Sequence, residues 1–247
     1  MSKAQNNQLH SIVPTRMAPK LLKFCYFIIA LLLSISCREA NPKNIADTQQ
    51  TTVAVEDTVE TKTTSKTILC FGDSITAGYG LDDTDDAYTG VLQQQIDSLN
   101  LDYTVINSGV SGETTAGGKS RIDWVIQQQP TLFLLELGAN DGLRGVALTE
   151  TKANLQAIIN VVKEKSPETI IVLAGMQLPP NMGLAYATGF KNLFIALAEE
   201  NKLALVPFIL KDVGGIAALN QNDGIHPNVE GHKIVAQNVW EVLQPLL

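Results

Sequence analysis

Two short stretches at opposite ends of the chain carry residue types that together can split an acyl bond. The apolar run Ile68-Leu69-Cys70-Phe71 breaks into Gly72-Asp73-Ser74, and a glycine-punctuated turn continues to Gly80. A serine at the carboxyl end of a strand, near the start of a helix, has an exposed hydroxyl with backbone N–H groups beside it. Such a hydroxyl is a weak nucleophile and needs a base within hydrogen-bond reach. The base is offered near the far end of the chain, in Asp223-Gly224-Ile225-His226. Histidine titrates near pH ~6.5 when unperturbed, which suits it to proton transfer. A carboxylate three residues earlier can turn back and hold its second ring nitrogen. The expected chemistry is nucleophilic acyl transfer, with Ser74 attacking, His226 as base and Asp223 orienting the imidazole.

Acyl transfer also needs donors for a developing oxyanion. Asn107-Ser108-Gly109-Val110-Ser111-Gly112-Glu113-Thr114 is a glycine-rich turn that can bring a backbone N–H close to a ligand, and Leu137-Gly138-Ala139-Asn140 ends in a side-chain amide. The backbone N–H groups of Ser74 and Gly112 and the amide of Asn140 are the expected oxyanion hole. The stretch 177–184 is largely apolar, and Leu178, Pro179 and Met182 are expected to wall a groove for the substrate.

Elements of the right kind stand where these residues need them. Thr67–Phe71, Tyr103–Asn107, Leu132–Leu137, Thr169–Ala174 and Leu203–Pro207 are short, nearly continuous apolar runs, as expected of strands buried on both faces. Amphipathic stretches around 87–99, 115–128, 149–165, 184–200 and 228–245 separate or follow them. Alternation of this kind implies a parallel sheet with right-handed crossovers. The expected fold is a three-layer α/β/α domain with a five-stranded parallel sheet of the flavodoxin-like kind. In that architecture the loops after the strands share one edge, which gathers Ser74, Gly112, Asn140 and the segment 177–184.

Composition is compatible with such a domain. Of 247 residues, 45% are hydrophobic and 17% charged, so a buried core is expected rather than disorder. The net charge is −7, and the first 36 residues contribute Lys3, Arg16, Lys20 and Lys23 without an acid, leaving −11 on the remainder. So acidic a body is unsuited to nucleic acid, whose phosphates require clustered Lys and Arg. Cys25, Cys37 and Cys70 show no metal spacing and no paired framework.

Lys20 and Lys23 precede an uncharged apolar run from Phe24 to Leu33, about half the roughly 20 residues of a spanning helix. Residues 1–36 are therefore expected to be a signal peptide, with Met1 or Met17 as the start. Leu33-Ser34-Ile35-Ser36-Cys37 resembles a bacterial lipobox, with Ser34 in place of the usual aliphatic residue. That resemblance implies lipid attachment at Cys37, a membrane anchor and a place in the cell envelope; the alternative is a secreted or periplasmic soluble protein. Residues 38–66 are Thr-rich and lack both aromatic residues and periodicity, so 37–66 is expected to be the lipid-attachment cysteine and a flexible tether. Residues 67–247 form the expected catalytic domain.

Gly72-Asp73-Ser74-Ile75-Thr76, Ser111-Gly112-Glu113-Thr114, Gly138-Ala139-Asn140-Asp141 and Asp223-Gly224-Ile225-His226-Pro227 resemble, in order, the spaced blocks of the GDSL, or SGNH, hydrolases. Gly142-Leu143-Arg144-Gly145 and Leu178–Gly183 further resemble the bacterial thioesterase/lysophospholipase, arylesterase-type subgroup. The resemblance implies the same triad and oxyanion hole, no metal or organic cofactor, and a small acyl ester or thioester as substrate. Alternatives are a carbohydrate deacetylase on the same scaffold, or a non-catalytic surface lipoprotein that binds glycan or lipid. Among the remaining residues, His232 is expected on the surface or half-buried, Cys70 as a buried hydrophobe, and Asp141 as a hydrogen-bonding loop residue.

Overall fold

The computed structural model describes residues 66–247, apart from the side chain of Pro180. The signal peptide, Cys37 and the tether expected from the sequence lie outside those residues. In chain order the elements are β1 (Lys66–Gly72), α1 (Ser74–Ala77), α2 (Tyr88–Ser98), β2 (Tyr103–Gly109), α3 (Thr115–Val125), β3 (Leu132–Glu136), α4 (Ala139–Leu143), α5 (Leu148–Lys165), β4 (Ile170–Ala174), α6 (Leu184–Asn201), β5 (Ala204–Val206) and α7 (Val229–Leu243).

All strand pairs are parallel, in the order β2-β1-β3-β4-β5. Helices α3, α5 and α6 pack together on one face, and α2 with α7 on the other. This is the expected three-layer α/β/α fold. The strand order reverses between β1 and β3, and such a switch point opens a crevice at the carboxyl ends of the strands.

The central strands owe their place to composition. Ile68–Phe71 and Leu132–Leu135 are wholly apolar and fully buried, and Phe71 packs on Phe133 with ring centroids 5.5 Å apart. Strand β2 departs from the continuous burial expected of it. It lies at the edge of the sheet and is mostly half-buried, and its exposed Asn107 donates from Nδ2 to the Thr76 carbonyl and the Thr89 hydroxyl. The short helix α1 begins at Ser74, where a helix start was expected; the short helix α4, which begins beside Asn140, is an addition to the expected elements.

His232 is a second departure: only 1% of it is exposed. It shares the buried stripe of α7 with Val235, Ala236, Val239 and Leu243, the spacing that places side chains on one helix face. Its Nδ1 accepts the N–H of Tyr88 at 3.2 Å, at the start of α2, where no neighbouring side chain supplies a cap. Burial, aided by the nearby His226, holds the imidazole down to about 4. Unfolded histidine takes up its proton near pH ~6.5, so the neutral ring contributes stability above that pH and loses it as pH falls towards about 4. His232→Asn keeps an acceptor for Tyr88 without the titration. The stability gap between parent and variant should shrink by on the order of 3 kcal/mol from pH ~7 to pH ~4 in denaturant titrations. A gap independent of pH would show that His232 protonation is not linked to folding.

Candidate active site

The nucleophile position is built by the break from β1 into α1. Asp73 caps α1, its Oδ1 accepting the Ile75 N–H at 3.1 Å, and Ser74 is the first helical residue. A backbone N–H at that position has no partner within its own helix. Gly72 allows the turn to close, because a Cβ there would collide with the Thr76 hydroxyl and with the side chain and backbone of Glu136.

Ser74 Oγ lies 2.9 Å from His226 Nε2, and His226 Nδ1 lies 2.7 Å from Asp223 Oδ2. The turn that carries the pair is set by Asp223 itself, whose Oδ1 accepts the N–H groups of Ile225 and His226 at 3.0 and 3.1 Å. Some desolvation pushes the Asp223 carboxyl up, but these two N–H groups and the His226 ring outweigh it and hold the group at about 2. An ionised carboxylate there requires the Nδ1–H tautomer of His226, which leaves Nε2 free to accept from Ser74. The ring of Tyr79 lies against the imidazole, with centroids 4.7 Å apart.

The oxyanion-hole candidates come from the next two loops. Gly112 sits at φ 79°, a left-handed conformation suited to glycine. Its loop is clamped from outside the cavity: Arg121 binds both oxygens of Glu113 at 2.7 and 2.6 Å, the Ser108 hydroxyl and carbonyl, and stacks over Phe71. Arg144 donates to the Gly112 carbonyl at 3.2 Å. Asn140 lies in the first turn of α4 and donates from Nδ2 to Asp73 Oδ2 at 3.2 Å. Asp141, next to it in α4 rather than in a loop, is buried and accepts from the backbone and hydroxyl of Thr115, so the hydrogen-bonding part of its expected role is the part that is met.

Ser74, Gly112, Asn140 and His226 all face one cavity of about 750 Å³. Its far wall is apolar and includes Leu143, Met176, Leu178, Pro179, Phe208 and Leu210. Leu178 and Pro179 thus stand where the groove was expected. Met182 does not: it is half-buried in the short 3-10 turn Pro180–Met182, which leads into α6, and lies outside the cavity lining. Phe208 and Leu210 take its place from the segment after β5, whose sequence carries no motif; an apolar pair after the last strand was its only signal.

Beneath the nucleophile lies a buried polar chain that the sequence reading missed. The Glu136 Oε2 accepts the Asp73 N–H at 3.1 Å and the Thr76 hydroxyl at 2.7 Å, and Thr76 in turn lies 2.9 Å from Tyr88 Oη. Glu136 is fully buried and its Oε1 has no hydrogen-bond partner among the described residues. Burial first, and the neighbouring Asp73 second, push its carboxyl well above the usual range. Cys70, buried in β1, is pushed up to about 12 by burial and is no nucleophile. Among the described residues no group of three or more His, Cys, Asp and Glu could hold a metal ion, and no helix is long and apolar enough to cross a membrane.

Known proteins share this arrangement of elements. Residues 70–234 match the model of the GDSL-like Lipase/Acylhydrolase family. The esterase TesA of Pseudomonas aeruginosa is 40% identical over 184 residues, covering 74% of this chain and 90% of that protein. Thioesterase 1/protease 1/lysophospholipase L1 of Escherichia coli is 34% identical over 182 residues, 73% of this chain and 85% of its own length. The crystal structure of TesA superposes with a TM-score of 0.70 at 40% identity, covering 74% of this chain and all of that one.

Proposed function

The chain belongs to the GDSL-like lipase/acylhydrolase family, and we propose that it is a serine hydrolase that cleaves acyl esters and thioesters through an acyl-Ser74 intermediate. The observation that carries the reading is the chain of contacts from Ser74 Oγ to His226 Nε2 and from His226 Nδ1 to Asp223 Oδ2, at 2.9 and 2.7 Å, opening on an apolar cavity. Ser74 Oγ attacks the acyl carbon while its proton passes to Nε2. The imidazolium so formed is stabilised by Asp223. The carbonyl oxygen, now negative, takes hydrogen bonds from the Ser74 and Gly112 N–H groups and from Asn140 Nδ2. Collapse expels the alcohol with the proton from Nε2; a thiol leaves in the same way. Water then attacks the acyl-enzyme with His226 again as base, and the acid departs.

The apolar wall supports an acyl chain as the bound part of the substrate, and the relatives named esterase and thioesterase/lysophospholipase support both ester types. A series of p-nitrophenyl esters tests this directly. Each added methylene that enters the wall should raise kcat/KM by up to about fourfold, the equivalent of ~0.8 kcal/mol, until the cavity is filled. A fluorophosphonate should label one residue, Ser74, as located by peptide mass spectrometry. Preference for the acetate ester together with release of acetate from acetylated xylan would replace this reading with a carbohydrate deacetylase.

Cys37 remains a proposed lipid-attachment site, supported by the apolar run and the lipobox-like residues before it. It would hold the enzyme at the cell envelope. Cys37→Ser should then move the protein out of the membrane fraction, and a parent protein that incorporates no fatty acid would refute the anchor.

A further inference from the structure

We propose that Asp73 is a positioning residue of the oxyanion hole, acting through the amide of Asn140. The inference rests on the hydrolase reading above. Asn140 Nδ2 has two hydrogens. One is taken by Asp73 Oδ2 at 3.2 Å, which turns the amide so that the other faces the cavity both residues line. Nothing else is seen to orient that side chain: α4 begins at Gly138, which supplies no side-chain cap, and the side chain of Asn140 makes no other hydrogen bond among the described residues. The strands that lead into the two residues, β1 and β3, are direct neighbours, so the Asp73–Asn140 bond spans the switch point between them.

Asp73 is itself held from two further directions. Its Oδ1 accepts the Ile75 N–H, and its own N–H donates to Glu136 Oε2. The carboxyl is fully buried, so it cannot swing to solvent in place of Asn140. Burial and the closeness of two acids favour a single negative charge on the Asp73–Glu136 pair. Glu136 has an unpaired oxygen and its carboxyl is pushed well above the usual range, whereas burial raises Asp73 only to about 6 against the hydrogen bonds from Ile75 and Asn140, so near pH ~7 Glu136 keeps the proton and Asp73 is the anionic acceptor. A charge-assisted bond to one amide hydrogen polarises the other, which strengthens the bond it gives to the oxyanion.

The competing account is that Asp73 only caps α1. Asp73→Ser separates the two, because serine caps a helix well but is too short to reach Asn140. Asp73→Asn, of equal size, serves as a second variant: it can satisfy either Ile75 N–H or Asn140 Nδ2, but not both. Both changes, alone and combined with Asn140→Ala, would be assayed for kcat, KM, melting temperature and labelling of Ser74 by a fluorophosphonate. Alone, each should lower kcat by about 10- to 100-fold with KM within about twofold, less than deletion of the donor itself. On the Asn140→Ala background each should cost less than about twofold, since the group through which Asp73 acts has gone. Equal losses on both backgrounds, or a raised KM at unchanged kcat, would overturn the assignment while labelled Ser74 kept the hydrolase reading intact. A parent enzyme that is never labelled would overturn that reading, and this inference with it.

Discussion

Replacing Asp223 by Asn is expected to lower kcat by about 10⁴-fold, near 5 kcal/mol, while leaving the fold and KM close to those of the parent enzyme. The size of the effect follows from where each oxygen of Asp223 goes. Oδ1 accepts two backbone N–H groups and builds the turn, a task an amide oxygen performs equally well. Oδ2 accepts from His226 Nδ1, and in the variant an NH₂ group stands there instead. The imidazole must then accept at Nδ1 and carry its proton on Nε2, pointing a donor at Ser74 where an acceptor is required. Because Asp223 is held at about 2, it stays ionised throughout the range in which the imidazole titrates. Asp223 should therefore add no proton to the acid limb of kcat/KM; any steepening beyond the imidazole's own step would report Asp73, whose carboxyl burial pushes up to about 6. Steady-state kinetics from about pH 5 to 9 on parent and variant check both statements. Near-parental turnover by Asp223→Asn would show that another group orients His226; Asp141 is a poor candidate, since both its oxygens are committed to Thr115.

The parts of this site that can be read from sequence are those in which chemistry restricts residue type at a chain position the fold restricts too. Ser74, Gly112, Asn140, Asp223 and His226 each follow a strand or precede the last helix, and acyl transfer admits few alternatives at each. The strands were legible because all but the edge ones are unbroken apolar runs, and the structure moves their ends by at most two residues. Glu136 shows why the rest was not. It closes the run Leu132-Phe133-Leu134-Leu135-Glu136, where an acid reads as the solvated end of a strand. Only its distant partners Asp73 and Thr76 make it a buried group beneath the nucleophile. Its one local signal was its place directly before the Leu137–Asn140 turn. His232 was misread for a similar reason. A lone histidine in a helix looks amphipathic, and what buries it is the start of α2, more than a hundred positions away.

These misread residues also explain how a shallow, partly exposed triad is kept in register. Asp223 is open to solvent on one side, and the Asp223–His226 turn follows a segment held to the body by Asn220, whose Nδ2 binds the Val213 and Ile216 carbonyls, and by Gln221, whose Nε2 binds the carbonyls of Tyr79 and Pro227. The Gln221 bond to Tyr79 joins the last loop to the one that follows α1, so base and nucleophile are tied together apart from their own contact. On the other side, Glu136 and Asp73 fix α1 and α4 to each other. Ser74 therefore stands between two tied loops, and the proposed catalytic groups from four separate segments keep one geometry.

Asn140→Ala is expected to lower kcat by roughly 10²–10³-fold, about 2.7–4 kcal/mol, with little change in KM. A donor aimed at the oxyanion meets a neutral carbonyl in the ground state and a negative oxygen in the transition state. Its contribution therefore appears mainly in kcat. The split between kcat and KM is thus as informative as the size of the loss. The contacts of Ser74 with His226 and of His226 with Asp223 do not involve Asn140, so a fluorophosphonate should still label Ser74 in the variant, though slowly. Asn140→Asp should be at least as poor as Asn140→Ala. Its carboxylate would face both the oxyanion and the buried Asp73 carboxyl, now 3.2 Å from the Asn140 amide, and would replace a donor by repulsion on both sides. Single-turnover measurements of acylation and deacylation extend the test, because both steps pass through an oxyanion and both should slow. If Asn140→Ala instead raised KM at unchanged kcat, Asn140 would bind the ground-state substrate, and the oxyanion would have to be held by the Ser74 and Gly112 N–H groups alone.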